Sequence, residues 1–239
     1  KKYFKNNVLG TKNLLESCEN TGVKNLVFSS TAAVYKDGQY KVNENSIIKP
    51  KSVYGKTKIK AEKIIKQFCK RNKINYCILR YFNIAGSSPS GKIGLINKSD
   101  HLFKNFSREI IKKRPILKIY GGNYDTEDGT CIRDYVHVSD LVDAHILGLK
   151  WLKDGKGSRI FNLGTGCGFS VREVIEQAKY ITNKVVPIIE GERRAGDCTK
   201  LVSGSFRAAS ELGWSANRSN LKQMIKDAWR WHQNGRYEK

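Results

Sequence analysis

The chain is short of acid: 22 Asp and Glu stand against 44 Lys and Arg, for a formal net charge of +22. A deficit on that scale admits two partners, nucleic acid and an anionic membrane. Two further absences argue against both. There is no long basic block, because the lysines are spread along the whole chain among asparagines and isoleucines, and the aromatics stand mostly in apolar surroundings. Nucleic-acid binding is therefore not expected as the main role. No apolar run approaches the ~18 residues of a membrane span, and residues 1–22 carry no signal-peptide pattern, so no membrane partner is expected. The six cysteines (Cys18, Cys69, Cys77, Cys131, Cys167, Cys198) form no C-x-x-C pair and no regular spacing. That argues against a disulfide scaffold or a zinc site and fits a reducing, cytoplasmic setting. Internal repeats are absent too. The first residue is Lys1 rather than Met, so a preceding N-terminal part is expected.

What is present is an alternation of helices and strands along 239 residues, enough for one large domain or two small ones. Residues 6–20 have helical apolar spacing (Val8, Leu14, Leu15, Cys18), stopped by Gly22. The run Leu26-Val27-Phe28 reads as a buried strand that ends in the hydroxyls Ser29, Ser30 and Thr31. A polar loop to Pro50 leads to a second helix with apolar residues at Ala61, Ile64, Ile65 and Phe68. Residues 74–82 form the next strand. This order argues for a parallel sheet with crossover helices, whose ligands lie at the C-terminal ends of its strands. Residues 83–100, rich in Gly, Ser and Pro, read as a long loop into a second subdomain. Beyond it come a helix over 102–113, strands at 117–120 and 133–138, and a helix capped by Ser139. A strand at 160–163 follows, then a helix with a Ser170/Glu173 capping box, a strand over 185–190, and helices at 207–212 and 220–233.

On the second helix, Tyr54 and Lys58 are four residues apart and share a face. A free phenol has a pKa near 10, too high for a base at neutral pH. An ammonium within about 5 Å, at an effective dielectric of about 20, favours the phenolate by roughly 3 kcal/mol, or about two pKa units. The pair can therefore act as a general base, although Tyr-x-x-x-Lys alone also occurs as an ordinary surface pair.

Gly164-Thr165-Gly166-Cys167-Gly168 follows a strand and precedes a helix, as a dinucleotide-binding loop does. Its third glycine falls one position early and it lies late in the chain, so a tight turn feeding a capped helix is the better reading.

The strand-end Thr31 together with Tyr54 and Lys58 resembles the extended short-chain dehydrogenase/reductases. Further blocks resemble the UDP-glucose 4-epimerase family: Asn6-Asn7-Val8-x-Gly10-Thr11, Lys24 to Ser30, Leu79-Arg80-Tyr81-Phe82-Asn83, Pro89-Ser90-Gly91, Thr126-Glu127-Asp128-Gly129-Thr130, Arg133-Asp134-Tyr135-x-His137-Val138, Asn162-Leu163-Gly164 and Arg193-Arg194-x-Gly196-Asp197. They run in order along nearly the whole chain. The family's glycine-rich phosphate loop and ribose-binding acid, which lie in roughly its first ninety residues, are not among them. The resemblance thus implies a fragment, and one with little or no epimerase activity by itself. It implies a Rossmann-like parallel α/β sheet with its N-terminal part missing and a smaller C-terminal α/β substrate subdomain. Residues 1–85, interleaved with parts of 130–165, would form the NAD-binding part and leave an open sheet edge near residues 26–28; residues 86–239 would mainly bind the UDP-sugar.

The resemblance also assigns roles. Tyr54 would be the base for oxidation at sugar C4, Lys58 would lower its pKa and hold the nicotinamide ribose, and Thr31 would bond the 4-oxygen. Asn6, Ser29, Tyr81 and Phe82 would join Tyr54 and Lys58 around NAD. The substrate UDP-hexose would meet Thr31, Asn83, His101, Leu102, Lys118, Ile119, Tyr120, Arg133, Arg194, Asp197 and Leu201, with the two arginines on the diphosphate and Tyr120 beside the uracil. An Arg fork suits phosphate in a way a Lys cannot match. The competing roles are an Arg133–Asp134 pair and a solvated Arg194. His137 and His145 read as structural and no metal is expected. The surroundings of His101, residues 97–100, depart from the family pattern. Leu201 replaces a bulkier Tyr of some relatives, which suggests room for an N-acetylated sugar.

Relatives that dehydrate or decarboxylate carry an acid where this chain has Ala32 and Ala33, so plain epimerisation is favoured. The alternatives are an epimerase of UDP-N-acetylglucosamine or UDP-glucuronate, or a non-catalytic RNA-binding relative that would have lost Tyr54 or Lys58. A homodimer through residues 6–20 and 54–70 is expected.

Overall fold

The computed structural model describes residues 2–39, 41–96 and 101–234. The N-terminal helical run is continuous but not uniform: α1 (Lys2–Phe4), a π-helical turn (Lys5–Leu9) and α2 (Gly10–Asn20). Gly22, with φ 70°, ends it as expected.

Strand β1 (Asn25–Thr31) pairs in parallel with β2 (Asn75–Tyr81), and β2 pairs in parallel with β6 (Arg159–Leu163), in the order β1-β2-β6. The register sets Ser29 opposite Leu79 and Thr31 opposite Tyr81. The hydroxyl-bearing end of β1 and the aromatic end of β2 therefore lie side by side at the C-terminal edge of the sheet. β1 occupies an edge of this sheet, and Leu26, Val27 and Phe28 are only half-buried.

Helix α3 (Val53–Arg71) crosses between β1 and β2. Ser52 caps it, its Oγ accepting from the Gly55 N–H at 3.0 Å. Ala61, Ile65 and Cys69 are buried, and Ile65 and Cys69 share a core with Leu15 of α2 and Ile78 of β2. On the other side of the sheet, α5 (Val138–Lys153) packs its Leu141, Ala144 and Leu152 into a core with Cys77, Leu79 and Phe161. The cap of α5 differs from the expected Ser139. His137 is the N-cap, and its Nδ1 accepts from the Ser139 N–H at 3.0 Å. An imidazole nitrogen can replace a hydroxyl there because the tautomer with a bare Nδ1 is an acceptor.

The expected loop after β2 begins with a strand instead. β3 (Asn83–Ala85) runs parallel to β5 (Ile132–His137), which also pairs with antiparallel β7 (Gly168–Ser170) and parallel β9 (Lys200–Leu201). β3 and β9 are two or three residues long, too short for a period of two to show in sequence. β4 (Leu117–Tyr120) pairs with β8 (Ile188–Gly191), and α4 (Leu102–Ile110), α6 (Val171–Thr182) and α8 (Leu221–Gln233) pack around a second core of Phe106, Ile119, Ile175 and Met224. The capping box at Ser170 and Glu173 is present. Helix α7 (Arg207–Leu212) returns to the first core, placing Ala208, Leu212 and Trp214 beside Leu163. β5 joins the two halves: Val136 belongs to the first core and Tyr135 to the second.

Candidate active site and nucleotide cleft

Thr31 and Tyr54 come together at the sheet edge. The Thr31 hydroxyl accepts from the Ala33 N–H at 3.2 Å and lies close enough to the Tyr54 phenol to lower its pKa. This approach depends on Gly55: a Cβ there would lie 2.3 Å from the Ala33 carbonyl oxygen, well inside contact distance. The start of α3 thus rests directly on the backbone just past β1, with the phenol one residue away. Tyr3 meets the Tyr54 ring edge-on at 5.8 Å.

The expected Lys58–Tyr54 charge pairing is not made. Lys58 Nζ donates to the Ser29 carbonyl oxygen at 2.8 Å and stands 5.9 Å from the Tyr54 ring centre and 5.0 Å from that of Phe28. Burial pushes the Tyr54 pKa above its ordinary value, Tyr81 adds to the rise, and the Thr31 hydroxyl offsets part of it. Burial likewise lowers the Lys58 pKa, with Glu62 opposing. Without another cation beside it, Tyr54 is a neutral phenol. A half-buried phenolate needs a compensating charge closer than this lysine. The ammonium has three donors and one goes to Ser29, which leaves two for a ligand.

Ser29 Oγ donates to His145 Nε2 at 3.0 Å, and His145 Nδ1 donates to the Leu141 carbonyl at 2.7 Å. The Tyr81 and His145 rings are 6.2 Å apart. His145, read from sequence as structural, stands beside two residues assigned to the cofactor. A histidine in mid-helix carries no local signal of this, since its partner lies 116 residues away. Phe82 is buried in the first core, and Asn6 is exposed on the π-helical turn while its neighbour Asn7 turns inward and donates to Thr57 Oγ1 at 3.0 Å.

The second sheet carries a cleft. Asn83, His101, Leu102, Lys118, Ile119, Tyr120, Arg133 and Arg194, all expected on the substrate, line it together. Cys131, Tyr135, Asn105 and Val171 line it as well and were missed. Tyr135 could have been found, because it stands two residues from Arg133 on β5 and so shares its face. Thr31, Asp197 and Leu201 lie outside this lining. Leu201 is buried with Ala32 and Phe82 in the first core, and Asp197 accepts from Arg194 Nε at 3.2 Å. Residues 97–100, next to His101, lie outside the described residues.

Arg133 is buried and donates from Nη1 to the Ile132 carbonyl oxygen at 2.9 Å. Its alternative partner Asp134 points the other way and is fully engaged. The Asp134 carboxylate accepts from the Thr165 N–H (2.9 Å), the Thr165 hydroxyl (2.7 Å), the Gly166 N–H (2.9 Å) and the Ser203 N–H (3.1 Å). The glycine-rich loop after β6 therefore cradles an anion, but that anion is the chain's own carboxylate. Arg194 is exposed and stacks over the Tyr120 ring at 4.8 Å, with Lys118 Nζ 5.4 Å from the same ring centre.

The sheet edge, with its tyrosine, lysine and threonine, and the cation-lined cleft define a nucleotide-sugar enzyme of the short-chain dehydrogenase type. Residues 1–164 match the NAD dependent epimerase/dehydratase family, and the chain belongs to that family. It is 42% identical over 233 residues to the UDP-glucose 4-epimerase of Lactobacillus helveticus, covering 97% of this chain and 71% of that one. Among solved structures it is similar to UDP-glucose 4-epimerase from Brucella ovis in complex with NAD, with a TM-score of 0.90 at 37% identity over 95% of this chain and 71% of that one. The enzyme from Bifidobacterium longum in complex with NAD+ and UDP gives a TM-score of 0.89 at 30% identity, over 98% of this chain and 70% of that one. Among the described residues no helix is long and apolar enough to cross a membrane, and no cluster of His, Cys, Asp and Glu could hold a metal ion.

Proposed function

We propose that this chain supplies the base and the sugar-nucleotide grip of a cytosolic UDP-glucose 4-epimerase, which interconverts UDP-glucose and UDP-galactose by NAD-dependent oxidation and re-reduction at C4. The observation that carries the reading is the Tyr54 phenol set beside Thr31 at the open C-terminal edge of a parallel sheet, in a chain whose second sheet holds an arginine-lined cleft.

The residues at the sheet edge fit a nicotinamide cofactor. Lys58 keeps donors for ribose hydroxyls, and Ser29 and Tyr81 line the same strand ends. Bound NAD would supply the acceptor and donor of the C4 hydride. Tyr54 is the group placed to take the proton of the sugar 4-hydroxyl, and a cationic nicotinamide held by Lys58, Ser29 and Tyr81 would favour its phenolate where Lys58 alone does not. Thr31, beside the phenol, holds the 4-oxygen and passes the proton. The 4-keto sugar then turns over within the pocket while Arg133 and Arg194 keep the diphosphate fixed. Tyr54 would then return the proton to the 4-oxygen. Asp197 takes a ribose hydroxyl.

Two finer features belong to the same reading. The enzyme is a homodimer through α2 and α3, whose outer surface exposes Leu14 and Val53; sedimentation that gives a monomer at working concentration excludes this. An N-acetylated hexose is admitted as well, because Leu201, which pairs with Arg133 in the β5–β9 register, is smaller than the Tyr of some relatives; absence of turnover of UDP-N-acetylglucosamine excludes that. The reading as a whole is tested by assaying UDP-galactose conversion in the NAD-loaded enzyme carrying this chain. Conversion to UDP-glucose is expected, and a preparation that binds both NAD and UDP without turnover overturns it.

A further inference from the structure

Tyr54, Lys58 and Glu62 occupy one face of α3 at intervals of four residues, and each turn meets the end of β1. Tyr54 meets Thr31, Lys58 meets the Ser29 carbonyl, and Glu62 accepts from the Ser30 hydroxyl at 2.5 Å. Glu62 is fully buried and is also gripped by Arg80 of β2, through Nε at 2.9 Å and Nη2 at 2.6 Å. Arg80 in turn donates to the Tyr35 hydroxyl at 3.0 Å, and Tyr35 donates to Asn162 of β6 at 2.6 Å. One carboxylate thus ties α3 to β1 and β2 directly, and to β6 through two further side chains.

We propose that Glu62 is a positioning residue for the reaction: by holding the Ser30 hydroxyl and standing one turn below Lys58, it keeps that ammonium seated on Ser29 and Thr31 in reach of Tyr54. This rests on the epimerase reading of the same site. A buried ion pair is weak evidence of stability, since apolar replacements are often as good. What an apolar pair could not do is bond Ser30 or present a negative charge to Lys58. Burial works against the charge on Lys58, and Glu62 is the group that opposes it. The other titratable groups around this cluster are Tyr54 and Lys66 on α3, Tyr76, Arg80 and Tyr81 on β2, Tyr35 beside Arg80, and His145 on α5 behind Ser29.

The test uses Glu62→Gln and, to keep the fold, the apolar pair Glu62→Leu with Arg80→Met. NMR of the lysine side chains in the NAD-loaded enzyme reads the Lys58 titration, and steady-state kinetics read turnover. We expect the Lys58 midpoint to fall by about one pH unit in both variants. The kcat should drop by one to two orders of magnitude with KM for UDP-galactose unchanged. The alkaline limb of kcat should move to lower pH with Lys58. Glu62→Asp should restore part of kcat. Folded variants with the wild-type Lys58 midpoint and wild-type kcat overturn the proposal. So does a loss of kcat matched by equal loss of UDP binding, which would make Glu62 a structural residue only. An inactive wild-type enzyme whose Lys58 midpoint still shifts in the variants overturns the epimerase reading and leaves the role of Glu62 toward Lys58 standing.

Discussion

Around Tyr54 the side chains are fixed from several elements at once: α3 rests on Ala33 through Gly55, Lys58 is tied to Ser29, and Glu62 to Ser30 and Arg80. Around the cleft, Arg194, Lys118 and His101 face solvent, and Arg133 alone of its cations is buried. The contrast follows from the tasks proposed for the two regions. A proton transfer needs its atoms held to within fractions of an ångström, and burial tunes the groups that titrate. A diphosphate is bound by charge that must remain available from water, and an arginine on a loop can close on it with little loss.

Substitutions can break that comparison, and the largest effect belongs to the buried pole. Tyr54→Phe should lower kcat by on the order of 10²–10⁴-fold and leave UDP binding unchanged in calorimetry. Weakened UDP binding would mean the two poles are not separable. Next comes the hinge between them. Asp134→Ala removes the acceptor of four donors and should cost about 3 kcal/mol of stability, read by urea unfolding. A loss below about 1 kcal/mol would show that water replaces the carboxylate easily. In the cleft, Arg133→Ala should weaken UDP by roughly 10-fold or more, the worth of about 1.5–3 kcal/mol for a charged hydrogen bond. Arg194→Ala should cost less and lose its effect as salt rises, because exposed charges are screened. Equal, salt-independent losses would contradict the buried-versus-exposed distinction.

A smaller effect comes from pH. His137 is buried, its Nδ1 accepts from Ser139, and its Nε2 donates to Asp227 at 3.2 Å. Burial lowers its pKa below the ordinary 6.5 in spite of Asp227. The unfolded chain therefore takes up a proton that the folded one refuses. Stability is full above about pH 6.5 and should fall below it by up to about 1.4 kcal/mol per pH unit, until the folded pKa is passed. Thermal melts between pH 7 and 5 read this, and His137→Gln should flatten the slope. The smallest effect is on thiol labelling. The exposed Cys167 should react first, while burial pushes Cys69 to about 11 and Cys77 to about 12 and should keep both inert in the native state.

Much of this was legible in the chain. The four-residue spacing put Tyr54 and Lys58 on one helix face, the apolar run ending in Ser29-Ser30-Thr31 put hydroxyls at a strand end, and Ser170 with Glu173 announced a helix start. Of the eight expected cleft residues, Asn83, Arg133 and Arg194 stood in the ordered blocks, and the other five were placed by the family resemblance alone. What was missed depends on partners far along the chain. His145 acts on Ser29, Glu62 on Arg80 and Ser30, and the carboxylate that fills the Gly164 loop comes from Asp134 on another strand. Strands β3 and β9 exist because β5 offers both edges, not because two or three residues announce themselves.

By itself, the order of residues determined which elements form and which chemical groups sit at their ends, because helix and strand periodicity and capping are local. The tertiary structure alone decided the state of those groups. Whether Tyr54 is a phenolate, whether Arg133 is spent on Asp134 and which anion the glycine loop holds all depend on distances between segments and on exclusion of water. Neither is written in any short stretch of sequence. The answers were a neutral phenol, an arginine turned away from its neighbour, and the chain's own carboxylate.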